Sequence, residues 1–403
     1  MPKISAKGSA MPQSPIRKLV PFAQSAKNRG IHVLHLNIGQ PDIKTPDSAI
    51  QAIKNLSLDT LAYSRTEGTD EHRSKIAAYY SSFGASVTAD DLIITTGGSE
   101  ALSFVMASLL DAEDEIIIPE PFYANYNGFA AANSLVVKSV TASIDNNFAL
   151  PNRETFESQI SARTKAILIC NPSNPTGYVY TLEELEFLAD LCKRHDLFLI
   201  VDEVYREFVY GENQFHSALL LKGMQEHIVI VDSVSKRYSM CGARIGYVVT
   251  KNKEVRSCIM KFAQARLSPP TLAQIASEAA LETPPSYLKE VNTEYNKRRL
   301  VLKEGLSAID GVRVSDPQGA FYLIAELPVL DSEHFSQWLL EHFEFEGETV
   351  MLAPAAGFYA TKGQGVNQVR IAYVLEIEAL KRAIRLLEIA LNTYKKIIPL
   401  NRK

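Results

Sequence analysis

The sequence contains few cysteines and no long apolar run. Its four cysteines, Cys170, Cys192, Cys241 and Cys258, are scattered without a C-x-x-C spacing, which favours free thiols in a reducing compartment. No apolar run approaches the ~18 residues that a membrane-spanning helix requires. Residues 1–14 are polar and lack the apolar core of a signal peptide. These absences predict a cytoplasmic protein without a membrane partner.

The net charge is also small. The 403 residues include 42 Lys and Arg and 46 Asp and Glu, which gives a charge of −4 at pH 7. Proteins that bind nucleic acids or anionic membranes usually present a basic surface, so we expect neither as a partner. The composition, 46% hydrophobic and 22% charged, is that of a globular protein. Because the length exceeds one ordinary core, we expect two domains.

Apolar, strand-like runs alternate with helix-like segments up to about residue 250. These runs lie at residues 92–95, 115–118, 165–170, 197–201, 228–231 and 245–249. Continuous apolar strands separated by helices predict an α/β fold with a mostly parallel sheet and helices on both faces. Thr45 is expected to cap one helix, and Thr181 has capping-box spacing to Glu184 at the start of another.

The chain after about residue 275 has a different pattern. Long charged helices and short apolar strands there predict a smaller α+β domain. The predicted parts are an N-terminal arm and segment that packs with the small domain (1–45), a large domain (46–275) and a small C-terminal domain (276–403).

Chemically useful side chains follow the predicted strands, where parallel sheets bind their ligands. They are Gly98, Ser99, Glu100, Tyr123, Asn174, Asp202, Tyr205, Ser233, Ser235, Lys236 and Arg244. Lys236 could condense with an aldehyde, while Ser233, Ser235 and Arg244 could hold a phosphate. An aldehyde and a phosphate on one molecule describe pyridoxal 5′-phosphate (PLP), whose enzymes use a lysine Schiff base. This stretch alone fits equally well an ordinary Lys-Arg pair in a polar surface loop.

The other loop residues suit the same cofactor. A carboxylate such as Asp202 would keep the pyridine nitrogen protonated, while Asn174 and Tyr205 could hydrogen-bond the phenolic oxygen. Tyr123 could stack on the ring, and the turn at Gly98-Ser99-Glu100 offers backbone N–H groups to a phosphate. Each residue also has a structural interpretation, as a cap, a turn residue or ordinary core packing.

Arg370 is a cation inside an otherwise apolar, strand-like segment, Val369 to Tyr373. Because a lone buried charge is costly, it should have an anionic partner. The α-carboxylate of an amino acid would fit its two-pronged guanidinium. An internal salt bridge is the alternative.

The order and spacing of these motifs resemble the class I/II (fold type I) PLP-dependent aminotransferases, in particular the aspartate-aminotransferase-like subgroup. The resemblance runs from about Ser14 to the final helix and implies that fold. It rests on Asn171-Pro-Ser-Asn-Pro-Thr-Gly177, Val201-Asp-Glu-Val-Tyr205, Ser233-Val-Ser-Lys236 with Arg244-Ile-Gly246, and Val369-Arg370-Ile371.

The resemblance assigns roles in catalysis and cofactor binding. Lys236 would form the internal aldimine and then carry the proton, Asp202 would pair with the pyridinium, and Tyr205 and Asn174 would bond the phenolic oxygen. Tyr123 would stack on the ring. The phosphate would be held by Ser233, Ser235, Arg244 and the Gly98, Ser99 and Glu100 turn.

The resemblance also assigns a substrate pocket and a partner. Arg370 would bind the substrate α-carboxylate, with Gly39, Tyr123 and Asn174 lining the same pocket. Tyr63 would reach the phosphate of a neighbouring subunit, which implies a homodimer. No metal site is expected.

The implied reaction is ping-pong transfer of an amino group from an L-amino acid, with aspartate as the leading donor, to a 2-oxo acid such as 2-oxoglutarate. Tyr123 stands where many aspartate-specific relatives have Trp, and Ser99 stands where some relatives for acidic substrates have Lys, so the recognition of a side-chain carboxylate stays open. Candidates for that recognition are Lys44, Arg65, Arg237 and the arm around Ser14. A C–S lyase, a decarboxylase or a cyclopropane-forming synthase on the same fold is the alternative, followed by a non-catalytic sensing module.

Overall fold

The computed structural model describes residues 2–397. Its strands are β1 His32–His35, β2 Leu92–Thr95, β3 Glu115–Glu120, β4 Val136–Thr141, β5 Thr164–Cys170, β6 Phe198–Asp202, β7 Ile228–Ser233, β8 Gly246–Val249, β9 Arg313–Val314, β10 Tyr322–Glu326, β11 Glu348–Met351, β12 Ala353–Pro354 and β13 Gln368–Ala372. Its α-helices are α1 Ala6–Ala10, α2 Val20–Asn28, α3 Asp47–Lys54, α4 Asp70–Ser81, α5 Gly98–Leu109, α6 Asn125–Ala132, α7 Arg153–Glu157, α8 Leu182–His195, α9 Val234–Arg237, α10 Lys253–Arg266, α11 Thr271–Leu281, α12 Pro285–Ser307, α13 Ser332–Glu341 and α14 Ile377–Ile397.

The large sheet has the strand order β2-β8-β7-β6-β5-β3-β4. Its neighbours are parallel except for β8, which runs antiparallel to both β2 and β7. Successive residues of β6 enter opposite cores: Ile200 packs with α5 and α10, whereas Val201 packs with α4, α8 and α11. Because both faces are covered, the strands are apolar throughout. The predicted α/β fold with a mostly parallel sheet is confirmed.

The ends of three neighbouring strands position the candidate site. β5, β6 and β7 are adjacent and parallel, so the loops after Cys170, Asp202 and Ser233 meet at one edge of the sheet. These loops are separated by about thirty residues each along the chain. The sheet therefore brings the predicted motifs together.

A second, antiparallel sheet has the order β12-β13-β10-β9; it shares one apolar core with α12 and α14, and α12 contacts both β9 and α14. In β13, Val369 and Ile371 enter the apolar core with these helices, so Arg370 points from the opposite face. The N-terminal β1 pairs in parallel with β11, which joins the N-terminal segment to the C-terminal part. Domain limits at 45 and 275 stay a prediction; α11, which spans residue 275, packs on α3 and α4.

No helix within residues 2–397 is both long enough and apolar enough to cross a membrane.

Candidate active site

A cavity of about 590 Å³ lies at the carboxyl ends of β5, β6 and β7 and is also bordered by β10 and β13. Most of the predicted site residues line it: Gly39, Gly98, Ser99, Tyr123, Asn174, Asp202, Tyr205, Ser233, Ser235, Lys236, Arg244 and Arg370. These residues come from separate segments of the chain, so their convergence in one cavity favours a functional site over separate structural roles.

Lys236 lies in the short helix α9, directly after β7. Ser233 starts this helix: its hydroxyl accepts the Ser235 N–H at 2.9 Å and donates to the Ser235 hydroxyl at 2.6 Å. The Lys236 amine is half-buried, donates to the Gly39 carbonyl at 2.7 Å and lies 3.8 Å from the Cys241 sulfur. The lysine is therefore no surface residue of a polar loop, and its amine is held inside the cavity.

Asp202 ends β6 and is almost fully buried. Its Oδ2 accepts the Tyr126 hydroxyl at 2.8 Å, and its Oδ1 accepts the Val204 N–H at 3.3 Å. Burial raises the pKa of this carboxyl to about 6, although the Tyr126 hydrogen bond opposes the rise. A cation placed against the carboxylate would favour its ionised form. Tyr126 was not predicted, since a tyrosine in an apolar helix looks like core.

A chain of polar groups joins the second sheet to the strand-end loops. The Asn174 side-chain nitrogen lies 3.5 Å from the Tyr205 hydroxyl, which in turn lies 2.9 Å from the Tyr322 hydroxyl. Burial raises the pKa of Tyr205 well above its usual value, so its hydroxyl keeps its proton and can donate. Tyr322 also lines the cavity. The sequence did not reveal it, because it lies 117 residues along the chain from Tyr205, its hydrogen-bond partner.

Arg370 is buried, and two of its five N–H donors have hydrogen-bond partners. Nη2 donates to the Asn37 carbonyl at 2.6 Å, and Nη1 donates to the Asn174 oxygen at 3.1 Å. The guanidinium also lies over the Tyr322 ring, 4.4 Å from its centroid. Within residues 2–397, Nε has no hydrogen-bond partner and no carboxylate pairs with Arg370. The internal salt bridge is thus missing, and the group retains donors for an anion.

The donors predicted to hold phosphate surround the start of α5. Gly97, at φ 80°, precedes this helix, and a Cβ there would lie 2.4 Å from Arg244 Nη2. A Cβ at Gly246 would come within 2.5 Å of the Gly98 nitrogen. The two glycines thus allow Arg244 and β8 to approach the helix N-terminus closely. With Ser99, Ser233 and Ser235 nearby in the lining, this end of the cavity suits a dianion.

Tyr123 lines the cavity beside these groups. Its hydroxyl accepts the Asn125 side-chain N–H at 2.7 Å, and burial raises the pKa of Tyr123 to about 12. The ring is partly buried and packs edge-on against Tyr126 at 5.4 Å between centroids. It is therefore positioned by contacts with α6 while one side borders the cavity.

Two predicted residues lie outside the cavity lining. The Glu100 carboxylate accepts the Thr96 N–H at 2.7 Å and pairs with Arg266 at 2.8 Å, so its side chain is bound within the protein. Only the Glu100 backbone N–H, in the first turn of α5, could donate a hydrogen bond to an anion in the cavity. Tyr63 is 80% exposed and does not contact the cavity. Its predicted role requires a second subunit.

The named candidates for a substrate side-chain carboxylate also lie outside the lining, except for Ser14. Arg237 is buried against Asp232 at 2.5 Å. Arg65 pairs with Glu67 at 2.6 Å and also with Asp70. Neither guanidinium is therefore available to a ligand in the cavity.

The lining residues fit PLP. Hydrogen-bond donors and Arg244 at one end match a phosphate, the buried Asp202 matches a protonated ring nitrogen, and the Lys236 amine matches an aldehyde. Arg370 borders the same cavity and has no carboxylate partner within residues 2–397, which fits a second anion apart from the phosphate.

Comparison with known proteins identifies the class. The family model of aminotransferase class I and II matches residues 31–387, so the chain belongs to this family. Enzymes of the family use PLP, and the chain is a PLP-dependent transaminase. The predicted family, fold, enzyme class and cofactor are confirmed.

The relatives carry different substrate names. The chain is 31% identical over 389 residues to aspartate aminotransferase of Pyrococcus horikoshii, covering 95% of the chain and 96% of the relative. It is 33% identical over 388 residues to (5-formylfuran-3-yl)methyl phosphate transaminase of Methanocaldococcus jannaschii, covering 94% and 96%. The solved alanine aminotransferase of Pyrococcus furiosus has a TM-score of 0.89 at 29% identity, covering 97% of the chain and 100% of that structure. The family thus leaves the amino donor open.

Proposed function

We propose that the chain transfers an amino group from an L-amino acid, with aspartate as the leading donor, to 2-oxoglutarate or a similar 2-oxo acid. The observation that carries this proposal is Arg370: a buried guanidinium that has no acidic partner within residues 2–397 and that borders the same cavity as Lys236. An α-carboxylate bound there would bring the rest of an amino acid into the cavity that contains the lysine amine.

Arg370, Lys236 and Tyr205 have separate roles in the proposed reaction. When bound, PLP supplies the electron sink that stabilises negative charge at the substrate α-carbon. Arg370 holds the α-carboxylate and thereby orients the α-C–H bond, and its Nη1 also fixes the Asn174 side chain. The Lys236 Nζ takes the α-proton and returns it, since its flexible stem carries the one amine among the lining residues within 2–397. Tyr205 keeps its proton and donates a hydrogen bond.

Asp202 supports this chemistry through its charge. Its burial disfavours the carboxylate, whereas a protonated ring nitrogen beside it would stabilise both charges together. The Tyr126 hydroxyl donates to Asp202 Oδ2 and thereby orients the carboxylate. Asp202 therefore favours the protonated form of the ring, which is the better electron sink.

A half-reaction tests the proposal and separates it from the alternatives. Holoenzyme is mixed with one amino acid and no acceptor, and released 2-oxo acid is measured against bound cofactor. A transaminase stops after one equivalent, and 2-oxoglutarate restarts it. A C–S lyase would keep releasing 2-oxo acid without an acceptor, a decarboxylase would release CO2 and an amine but no 2-oxo acid, and a sensing module would release none of these. Lys236→Ala should release no 2-oxo acid; a variant at near-normal rate would refute the assignment.

We propose a homodimer in which Tyr63 reaches the neighbouring site. The segment before Tyr63 and the one around Leu267 lie together, since the Thr271 hydroxyl donates to the Ala62 carbonyl at 3.2 Å. Leu58, Leu61 and Leu267 are each more than half exposed there, which marks an apolar contact surface. Light scattering should give about twice the 44.7 kDa chain mass. A monomer at micromolar concentration would contradict the proposal.

We also propose a cytoplasmic location, supported by the four free cysteines. Fractionation of the source cells would test it.

A further inference from the structure

Tyr322 brings a hydroxyl from the second sheet into the cavity. It starts β10, is 2% exposed and lines the cavity together with Tyr205. The hydroxyl lies against the Gly39 backbone, since a Cβ on Gly39 would fall 1.7 Å from it. Within residues 2–397, its one hydrogen-bond partner is the Tyr205 hydroxyl at 2.9 Å. The proposed function gives Tyr322 no role, although its hydroxyl contacts a residue that has one.

The Tyr322 ring has a different neighbour in the site. The Arg370 guanidinium, which comes from the adjacent strand β13, lies over the ring at 4.4 Å from its centroid. A cation over an aromatic face is attracted by the π electrons, so the ring supports Arg370. The ring and the hydroxyl thus contact separate parts of the site. A phenylalanine at this position would keep the first contact and lose the second.

The hydrogen bond between Tyr205 and Tyr322 has a direction that proton counting fixes. A tyrosine hydroxyl has one proton to donate and can also accept hydrogen bonds. In the proposed function, Tyr205 donates its proton to the phenolic oxygen of the cofactor. The proton between the two hydroxyls must then come from Tyr322. The Asn174 side-chain nitrogen is a weaker second donor, because it lies 3.5 Å from the Tyr205 hydroxyl.

A donor behind Tyr205 changes the strength of the hydrogen bond that Tyr205 makes. Hydrogen bonds in a chain polarise one another, so a hydroxyl that accepts one becomes a stronger donor. With Tyr322 donating, the Tyr205 proton is directed away from Tyr322 and toward the cofactor. A stronger hydrogen bond from Tyr205 stabilises negative charge on the phenolic oxygen, which then holds a nearby proton less firmly.

We propose that Tyr322 is a positioning residue of the reaction: its hydroxyl donates to Tyr205 and so directs the Tyr205 proton to the phenolic oxygen of the cofactor. This inference rests on the donor role of Tyr205 in the proposed function. It places in the second sheet a group that adjusts the proton affinity of a cofactor held by the large sheet.

The first measurement is a pH titration of the holoenzyme, which needs no turnover. The visible absorbance of bound PLP changes when the proton held between its phenolic oxygen and the Lys236 nitrogen is lost. Tyr322→Phe should raise the pH midpoint of this change by roughly 0.3–1 unit, because the oxygen loses part of its stabilisation. The control Tyr210→Phe should keep the midpoint within about 0.2 unit. Tyr210 is also buried, but its hydroxyl donates to the Ala320 carbonyl outside the cavity lining.

A double-mutant cycle shows whether Tyr322 acts through Tyr205. Tyr205→Phe should raise the midpoint further than Tyr322→Phe does, since it removes the donor itself. In that background, the addition of Tyr322→Phe should shift the midpoint by less than about 0.2 unit. An unchanged midpoint in Tyr322→Phe, or the same shift with and without Tyr205, would overturn the inference. If Tyr205→Phe itself left the midpoint unchanged, the donor role of Tyr205 would fail and the inference with it.

The second measurement is a titration of the holoenzyme with butyrate, a monocarboxylate suited to Arg370. Tyr322→Phe should keep the affinity within about two-fold, because the ring stays under the guanidinium. Tyr322→Leu removes the ring and should weaken binding about 2- to 10-fold. Equal weakening by both variants would place the role of the hydroxyl at Arg370 and overturn the inference. A holoenzyme that meets all these expectations but releases no 2-oxo acid from any amino acid would contradict the proposed function alone.

Discussion

Replacing Arg370 by methionine should strongly weaken substrate binding and change the stability of the protein little. A buried charge without a counter-ion costs several kcal/mol, and Arg370 has no acidic partner within residues 2–397. The variant removes that cost but leaves the Asn37 carbonyl and the Asn174 oxygen without a donor, at about 1–3 kcal/mol each. The two effects are of similar size. We therefore expect the unfolding free energy of the cofactor-free variant to stay within about 2 kcal/mol of the wild type.

Arg370→Met should reduce the catalytic rate far more than it changes the stability. An α-carboxylate that receives two charge-assisted hydrogen bonds gains about 1.5–3 kcal/mol from each. Their loss should lower kcat/KM in the half-reaction by roughly 10²- to 10⁴-fold for every amino acid. The kcat/KM of Arg370→Lys should lie between those of the wild type and Arg370→Met. An ammonium keeps the positive charge but cannot donate two parallel hydrogen bonds to one carboxylate.

The matched control is Arg237, which is also buried but has a partner. Its Nη2 lies 2.5 Å from Asp232, whose carboxylate also accepts the Tyr247 hydroxyl at 2.7 Å. Arg237→Met leaves that carboxylate uncompensated and should cost about 3–5 kcal/mol. Thermal unfolding of both apoproteins compares the variants directly. If Arg370→Met unfolded as early as Arg237→Met while its kcat/KM stayed normal, Arg370 would be structural and the reasoning wrong.

Three further results are expected. The pKa of Asp202 rises from 3.8 in the unfolded chain to about 6 in the folded apoprotein, so between these two values the folded state binds a proton that the unfolded state has lost. The free energy of unfolding should therefore fall by about 3 kcal/mol as the pH rises from about 4 to 6. Asp202→Asn should remove that fall when unfolding is measured across this pH range. Gly39→Ala should lower kcat/KM at least about 10-fold, because its Cβ would fall 1.7 Å from the Tyr322 hydroxyl; near-normal kinetics would contradict this. Glu100→Gln should lower stability by about 1 kcal/mol through its Arg266 pair and leave the affinity for PLP within about two-fold; a large loss of affinity would show that the Glu100 side chain takes part in binding, beyond the backbone N–H groups expected from the sequence.

Local chemistry made part of the structure predictable. The Thr181 hydroxyl accepts the Glu184 N–H, and the Glu184 carboxylate accepts the Thr181 N–H at 2.8 Å, as the three-residue spacing predicts. The prediction that Thr45 caps the helix after it was wrong. The N-cap of α3 is Pro46, and the Thr45 hydroxyl donates to the Ser239 carbonyl at 2.8 Å, 194 residues away. A cap is predictable only where no distant acceptor competes for the hydroxyl.

The candidate site was predictable where strand order decides proximity. Asp202 and Lys236 follow adjacent parallel strands, so placing both strands in one sheet already places both side chains at one edge. Tyr322 and Arg17 follow no such rule, because a second sheet and an N-terminal turn bring them to the cavity lining. Tyr126 lies outside that lining and reaches Asp202 from α6. Their sequence neighbourhoods look like ordinary core or surface. The side chains that follow the strands of the large sheet could thus be inferred from that sheet alone, whereas the other lining residues depend on how the second sheet and the N-terminal segment pack against it.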